Sequence, residues 1–191
     1  MRAFLDESSS VLTDDRQEYL VGAAILDSAF CEAVRDELRP LLLPGQIKLH
    51  WTDESTRRRA RIIDAIVGLG AMQVIVSHVS QRQNRTERFR RKCLESLYYE
   101  FASLELYDVL LESRSSKQDK EDRAHIVALQ GQGLDRRIRV SHQRGGDEPL
   151  LWIADAVLGA VNSARRGEPT YLDALQETIL LHARTAESLE S

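Results

Sequence analysis

Long apolar runs are missing from this 191-residue sequence: no stretch approaches the roughly 20 residues that a bilayer-spanning helix needs. The opening Met1-Arg2-Ala3-Phe4-Leu5-Asp6-Glu7 turns acidic too soon for a signal peptide, so no membrane partner is expected. Cysteine is scarce. Cys31 and Cys93 stand far apart with no Cys or His at ligand spacing, which excludes a disulfide framework and a zinc motif and fits a reducing cytoplasm. A basic excess is also lacking: the formal charge of -4 argues against a protein that coats nucleic acid through bulk electrostatics. The five histidines form no HxH or HExxH spacing, and Ser8, Ser9 and Ser10 lie outside any GxSxG context. Gly68-Leu69-Gly70 and Gly131-Gln132-Gly133 follow helical patterns, whereas phosphate-cradling loops precede helices, so nucleoside triphosphate binding has no support.

Arginine, by contrast, is abundant and clustered. It concentrates in Arg57-Arg58-Arg59-Ala60-Arg61, in Arg85 to Lys92, in Arg136-Arg137-Ile138-Arg139 and at Arg165-Arg166. Guanidinium pairs phosphate oxygens through a planar fork, so Arg57, Arg58, Arg136 and Arg137, with Arg114, are candidate contacts to a nucleic-acid backbone. The alternative is solvated helix faces.

The length suits one domain, and no internal repeat, linker or low-complexity tract interrupts 1–191. Residues 2–7 read as a strand and 19–26 as its hairpin partner across a polar turn. A helix follows Asp27-Ser28 and stops at Pro40; another, with Ile62, Ile63 and Ile66, ends at Gly68 and Gly70. Met72 to Val79 is a buried-strand pattern, Thr86 to Leu104 a helix, and Tyr107 to Glu112 a further strand. A helix ending near Gly131, a fifth strand over about 137–142 and a helix from Glu148-Pro149 to about Ala164 come next. A final amphipathic helix is expected over about 171–184, with Leu172, Leu175, Ile179 and Leu180 on its apolar side. The order predicts an α/β fold with a central mixed five-stranded sheet flanked by helices on both faces.

Three carboxylates stand where packing would not choose them. Asp6 follows Phe4-Leu5 on the first strand, Glu112 ends the Val109-Leu110-Leu111 strand where open α/β sheets place ligands, and Asp155 borders the apolar face of its helix. Taken singly, Asp6 could cap a turn, Glu112 could pair with Arg114, and Asp155 could favour the helix dipole. Together, acids near an apolar interior need a compensating charge, and an all-oxygen set suits Mg2+ or Mn2+. Metal-assisted phosphodiester hydrolysis is the chemistry such a set supports. Lys48 and His50 alternate in a short extended stretch, so they share a side and are candidates for phosphate binding or acid-base work, or else are loop residues packing Trp51.

Phe4-Leu5-Asp6-Glu7-Ser8, Leu110-Leu111-Glu112-Ser113-Arg114 with Asp119 and Asp122, and Glu148-Pro149-Leu150-Leu151-Trp152-Ile153-Ala154-Asp155-Ala156-Val157 with Gly159-Ala160 resemble, in order, blocks of the DUF3800 family. The resemblance spans about residues 3–166. It implies an RNase H-like fold, with Asp6, Glu112 and Asp155 in metal-binding roles and Glu7 as an additional acid. The chain departs from the family pattern at Ser9, where the family has Gly, so a turn with positive φ there would be altered. A fourth acid would have to come from Asp53, Glu54 or Asp119. The expectation is a Mg2+- or Mn2+-dependent nuclease acting on DNA or RNA. The alternatives are a non-catalytic RNase H-like module that binds nucleic acid or a protein, and a homo-oligomer formed through the C-terminal helix.

Overall fold

The computed structural model describes residues 1–83 and 86–190; Arg85 of the second arginine cluster lies outside them. The first expected hairpin is present and longer than its pattern. β1 (Arg2–Val11) and β2 (Arg16–Leu26) pair antiparallel from Arg2↔Leu26 to Val11↔Gln17. The turn is closed by the Leu12 N–H on the Arg16 carbonyl at 3.0 Å and by the Thr13 hydroxyl on Asp15 at 2.7 Å. Ser9 is thus an extended strand residue opposite Tyr19 and not a turn residue. Among the described residues the sole non-glycine with positive φ is Glu105, so the Gly-to-Ser departure meets no backbone obstacle.

The chain continues through α1 (Cys31–Leu38), α2 (Thr56–Gly68), β3 (Met72–Gln81), α3 (Glu87–Ser103), β4 (Asp108–Glu112), α4 (Ser116–Gly131), β5 (Arg139–Gln143), α5 (Leu151–Arg165), α6 (Thr170–Leu175) and β6 (Ile179–Arg184). The sheet has six strands in the order β5-β4-β1-β2-β3-β6, not the expected five. β1 pairs parallel with β4, β4 with β5 and β3 with β6, while β2 runs antiparallel to both its neighbours.

The sixth strand corrects the helix expected over 171–184. Helix stops at Leu175, a 3-10 turn covers 176–178, and Ile179–Arg184 docks on β3 with alternating burial. The run Ile-Leu-Leu fits either period. The free edge of β3 decides, because its backbone N–H and C=O groups need partners.

Strand alternation divides the core in two. Phe4, Leu20, Ala24 and Leu110 pack under α1, α2, α5 and α6, whereas Ala3, Leu5, Val21, Val109 and Leu111 pack under α3 and α4. Every polar residue at the carboxyl ends of β1 and β4 is therefore assigned to one face by its parity. Among the described residues no helix is long and apolar enough to cross a membrane.

Candidate active site

Asp6 has the parity of Phe4, and Glu112 that of Leu110, its neighbour on β4; in the parallel ladder Phe4↔Leu110 and Leu5↔Leu111, so the two acids continue side by side. Both face α5. Asp155, in the second turn of that helix, borders the same space. Three carboxylates from three separated segments thus meet at the carboxyl ends of β1 and β4. Burial pushes the Asp6 carboxyl well above its usual range, and the charges of Asp155 and Glu112 push it further, while the Glu7 N–H donated to Oδ1 at 2.8 Å opposes them. Asp155 is also raised, first by burial, against lowering from the Trp51 N–H, His50 and Lys48.

Lys48 and His50 face these acids. Lys48 Nζ donates to Glu112 Oε1 at 2.7 Å, and His50 Nδ1 lies 3.3 Å from Asp155 Oδ1. The Lys48 and His50 side chains are 37% and 43% exposed against 22% for Glu112 and 17% for Asp155, so they form the solvent side of the site and the acids its floor.

Two glycines make this approach feasible. A Cβ at Gly159 of α5 would lie 2.1 Å from the Trp51 ring, so residue 159 must lack one for the indole to seat on the helix. Once seated, with Tyr171 edge-on at 5.2 Å and Arg59 5.1 Å over its ring, Trp51 directs its backbone N–H to Asp155 Oδ2 at 2.7 Å. A Cβ at Gly145 would lie 2.5 Å from Glu112 Oε1 and 3.0 Å from Lys48 Cδ. The Trp152 indole holds the Gly145 carbonyl at 2.6 Å. Trp51, Gly145, Trp152 and Gly159 carried no site role in the sequence, although Trp51 follows the Lys48–His50 stretch and Trp152 and Gly159 fall in the third block of the resemblance.

Glu7 is not brought to the acids. With the parity of Leu5 it faces α3, where it bonds Arg90, a guanidinium 2% exposed that also holds Asp122 of α4 through two hydrogen bonds. Arg114 binds Glu87 at 3.0 Å and Asp122 at 3.3 Å, and His142 Nε2 lies 3.0 Å from Asp122. Burial would raise the Asp122 carboxyl, but His142 and Arg90 outweigh it and hold it far below the usual carboxylate range. Asp119, named as a fourth acid, belongs to this second cluster, accepting the Arg114 N–H at 3.0 Å. Asp53 and Glu54 do not complete the acid site either: Asp53 is exposed, and Glu54 is buried and bonded to Arg58 and Gln46.

The arginine candidates divide likewise. Arg58 donates to Glu54 and to the Leu41 carbonyl, bracing the loop before α2. Arg137 pairs with Asp135 at 2.8 Å and stacks 4.2 Å over Tyr107. With Arg136 it lies beyond the amino end of β5, a strand parallel to β4, so at least about 13 Å of strand separates both from Glu112. Arg57 is exposed at the start of α2 and, among the described residues, makes no ion pair.

A pocket of about 220 Å³ opens at the strand ends between the two clusters, reaching Asp6, Lys48 and Glu112 on one side and Glu7, Arg90 and Arg114 on the other. Among the described residues the only three potential ligands with atoms all within 4.8 Å of one another are Asp119, Asp122 and His142. Asp6, Glu112 and Asp155 are spread more widely. The tighter set is the poorer cation site, because two guanidiniums already bind Asp122.

No protein-family model matches the chain, and no curated protein matches its sequence. Among solved structures it is similar to a chain of the PCNA:RNase HII complex from Archaeoglobus fulgidus, at 19% identity over 93% of this chain and 77% of that one, with a TM-score of 0.40. It is also similar to a mutant protein of Bst-RNase HIII, at 14% identity over 92% of this chain and 53% of that one, with a TM-score of 0.38.

Proposed function

We propose that this chain is an RNase H-like, Mg2+- or Mn2+-dependent nuclease that hydrolyses phosphodiester bonds of DNA or RNA. The observation that carries the reading is the convergence of Asp6, Glu112 and Asp155 with too little positive charge to balance them. One lysine and one histidine face three carboxylates, and Asp6 is left with a raised affinity for a proton. The donor set fits a hard divalent ion: every ligand is a carboxylate oxygen, and each acid comes from a rigid strand end or helix.

Bound there, Mg2+ or Mn2+ would supply an activated water and polarise a phosphoryl oxygen. The chain's own residues do the remainder. Trp51 fixes the rotamer of Asp155 through its N–H. Asp6 and Glu112 are held by adjacent strand ends. His50, beside Asp155 and partly exposed, is placed to move a proton at its ring nitrogen to or from a phosphate oxygen. Arg57, in the first turn after the loop that carries His50 and without an ion pair among the described residues, would hold a phosphodiester backbone; Arg58, Arg114 and Arg137 are committed within the fold.

The test is cleavage of labelled single- and double-stranded DNA, RNA and hybrid substrates with each metal, in wild type and in Asp6→Asn. Metal-dependent cleavage that the substitution removes is expected. Calorimetry showing no Mn2+ binding, or binding indifferent to Asp6→Asn, would sink the reading in favour of a non-catalytic module.

A further inference from the structure

Among the described residues Lys48 is the only lysine or arginine paired with Asp6, Glu112 or Asp155. Its seat is built into the fold. The bond to Glu112 passes the bare backbone of Gly145, where a side chain would collide with both partners, and Trp152 keeps that backbone in place. The stem rises from residues 47–50, which are in neither helix nor strand. That arm is pinned on both sides. Gln46 bonds the Leu43 N–H at 2.8 Å and Glu54 at 2.9 Å, and Trp51 is seated on α5.

A divalent ion would need the carboxylate oxygens that the ammonium now faces. Like charges a few ångströms apart repel even in water, and more strongly where water is partly excluded, so both cannot hold the same acids. We infer that Lys48 is the resident counter-ion of the acid site and that a divalent cation enters by displacing its ammonium from Glu112. The inference rests on the metal-site reading above. Lys48 then weakens metal binding, and occupancy of the site frees the lysine side chain while the arm that carries it stays pinned.

Two measurements on the full chain test this. Calorimetric titration of Mn2+ into wild type, Lys48→Met and Asp6→Asn should show Lys48→Met binding about tenfold more tightly than wild type, the scale of one lost charge-assisted hydrogen bond. Asp6→Asn should bind much more weakly. Binding by Lys48→Met equal to or weaker than that of wild type overturns the inference and leaves the metal site standing; no Mn2+ binding by wild type or Lys48→Met overturns both. The second measurement needs no variant. The chain has four lysines, and acylation followed by mass spectrometry reads each one separately. Adding Mn2+ should raise labelling of Lys48 several-fold and leave unchanged Lys92, which pairs with Glu187 elsewhere. An unchanged or lowered rate at Lys48 overturns the inference whatever the variant does.

Discussion

Asp6 and Glu7 are adjacent on one strand, yet alternation sends them to opposite faces and into opposite electrostatic regimes. Toward α3 and α4, Glu7, Glu87 and Asp122 meet Arg90, Arg114 and His142, and the network holds the Asp122 carboxyl far below its ordinary range. Toward α5, three carboxylates share one lysine and one histidine, and Asp6 is raised well above its ordinary range. The first region has settled its charge internally, and its acids stabilise the fold. The second has not, and on the proposed reading this group of acids, held together against its own repulsion, takes an external cation.

The comparison can be broken most sharply on the compensated side. Asp122→Asn leaves the buried Arg90 guanidinium without its bidentate partner, and stability should fall by about 3–5 kcal/mol, read by urea denaturation. A loss within experimental error would show that the network is not structural. Next in size is the effect on turnover. Glu112→Gln should lower metal-dependent cleavage by roughly 10²–10³, the scale of losing one contact to developing charge. Glu7→Gln, assayed well below its melting temperature, should retain activity within about tenfold; equal losses would place both faces in one site.

The smallest effect carries the opposite sign. Asp6→Asn removes a charge that the fold disfavours, so stability at pH 7 should rise, on the order of 1 kcal/mol, as activity disappears. The two faces should also answer pH oppositely. Asp122 has a lowered folded pKa, so its contribution is present above the unfolded carboxylate value near 4 and is lost as pH falls through that range and below it. Asp6 has a raised folded pKa. Wild type therefore loses stability as pH climbs from about 4 through the folded value of Asp6, and the advantage of Asp6→Asn grows over that interval and vanishes at lower pH. Denaturation at a series of pH values reads both slopes, and an advantage for Asp6→Asn that persists at pH 3 would rule out this cause.

Much of this was legible beforehand. The hairpin, the strands at 72–79 and 107–112 and the long helices follow from periodicity, because burial on one face imposes a period on local sequence. Asp6, Glu112 and Asp155 stood out because each interrupted an apolar pattern. The sixth strand was not legible: Ile179-Leu180-Leu181 suits a helix until the open edge of β3 offers hydrogen bonds. Nor was the assignment of the arginines. Arg90 reads as part of a solvent-facing basic strip, yet it is buried by acids from β1 and α4 that are distant in sequence.

The sequence by itself determined which carboxylates would sit at strand and helix ends, because hydrophobic alternation is local and an acid that breaks it is visible. Tertiary structure alone decided which charges neutralise one another. Glu7 went to Arg90, Lys48 and His50 went to the acids of the other face, and glycines at 145 and 159 let the groups approach. That outcome depends on strand register, helix docking and close backbone approach, which bring together residues such as His50 and Asp155, 105 positions apart, and leave no periodic trace in the chain.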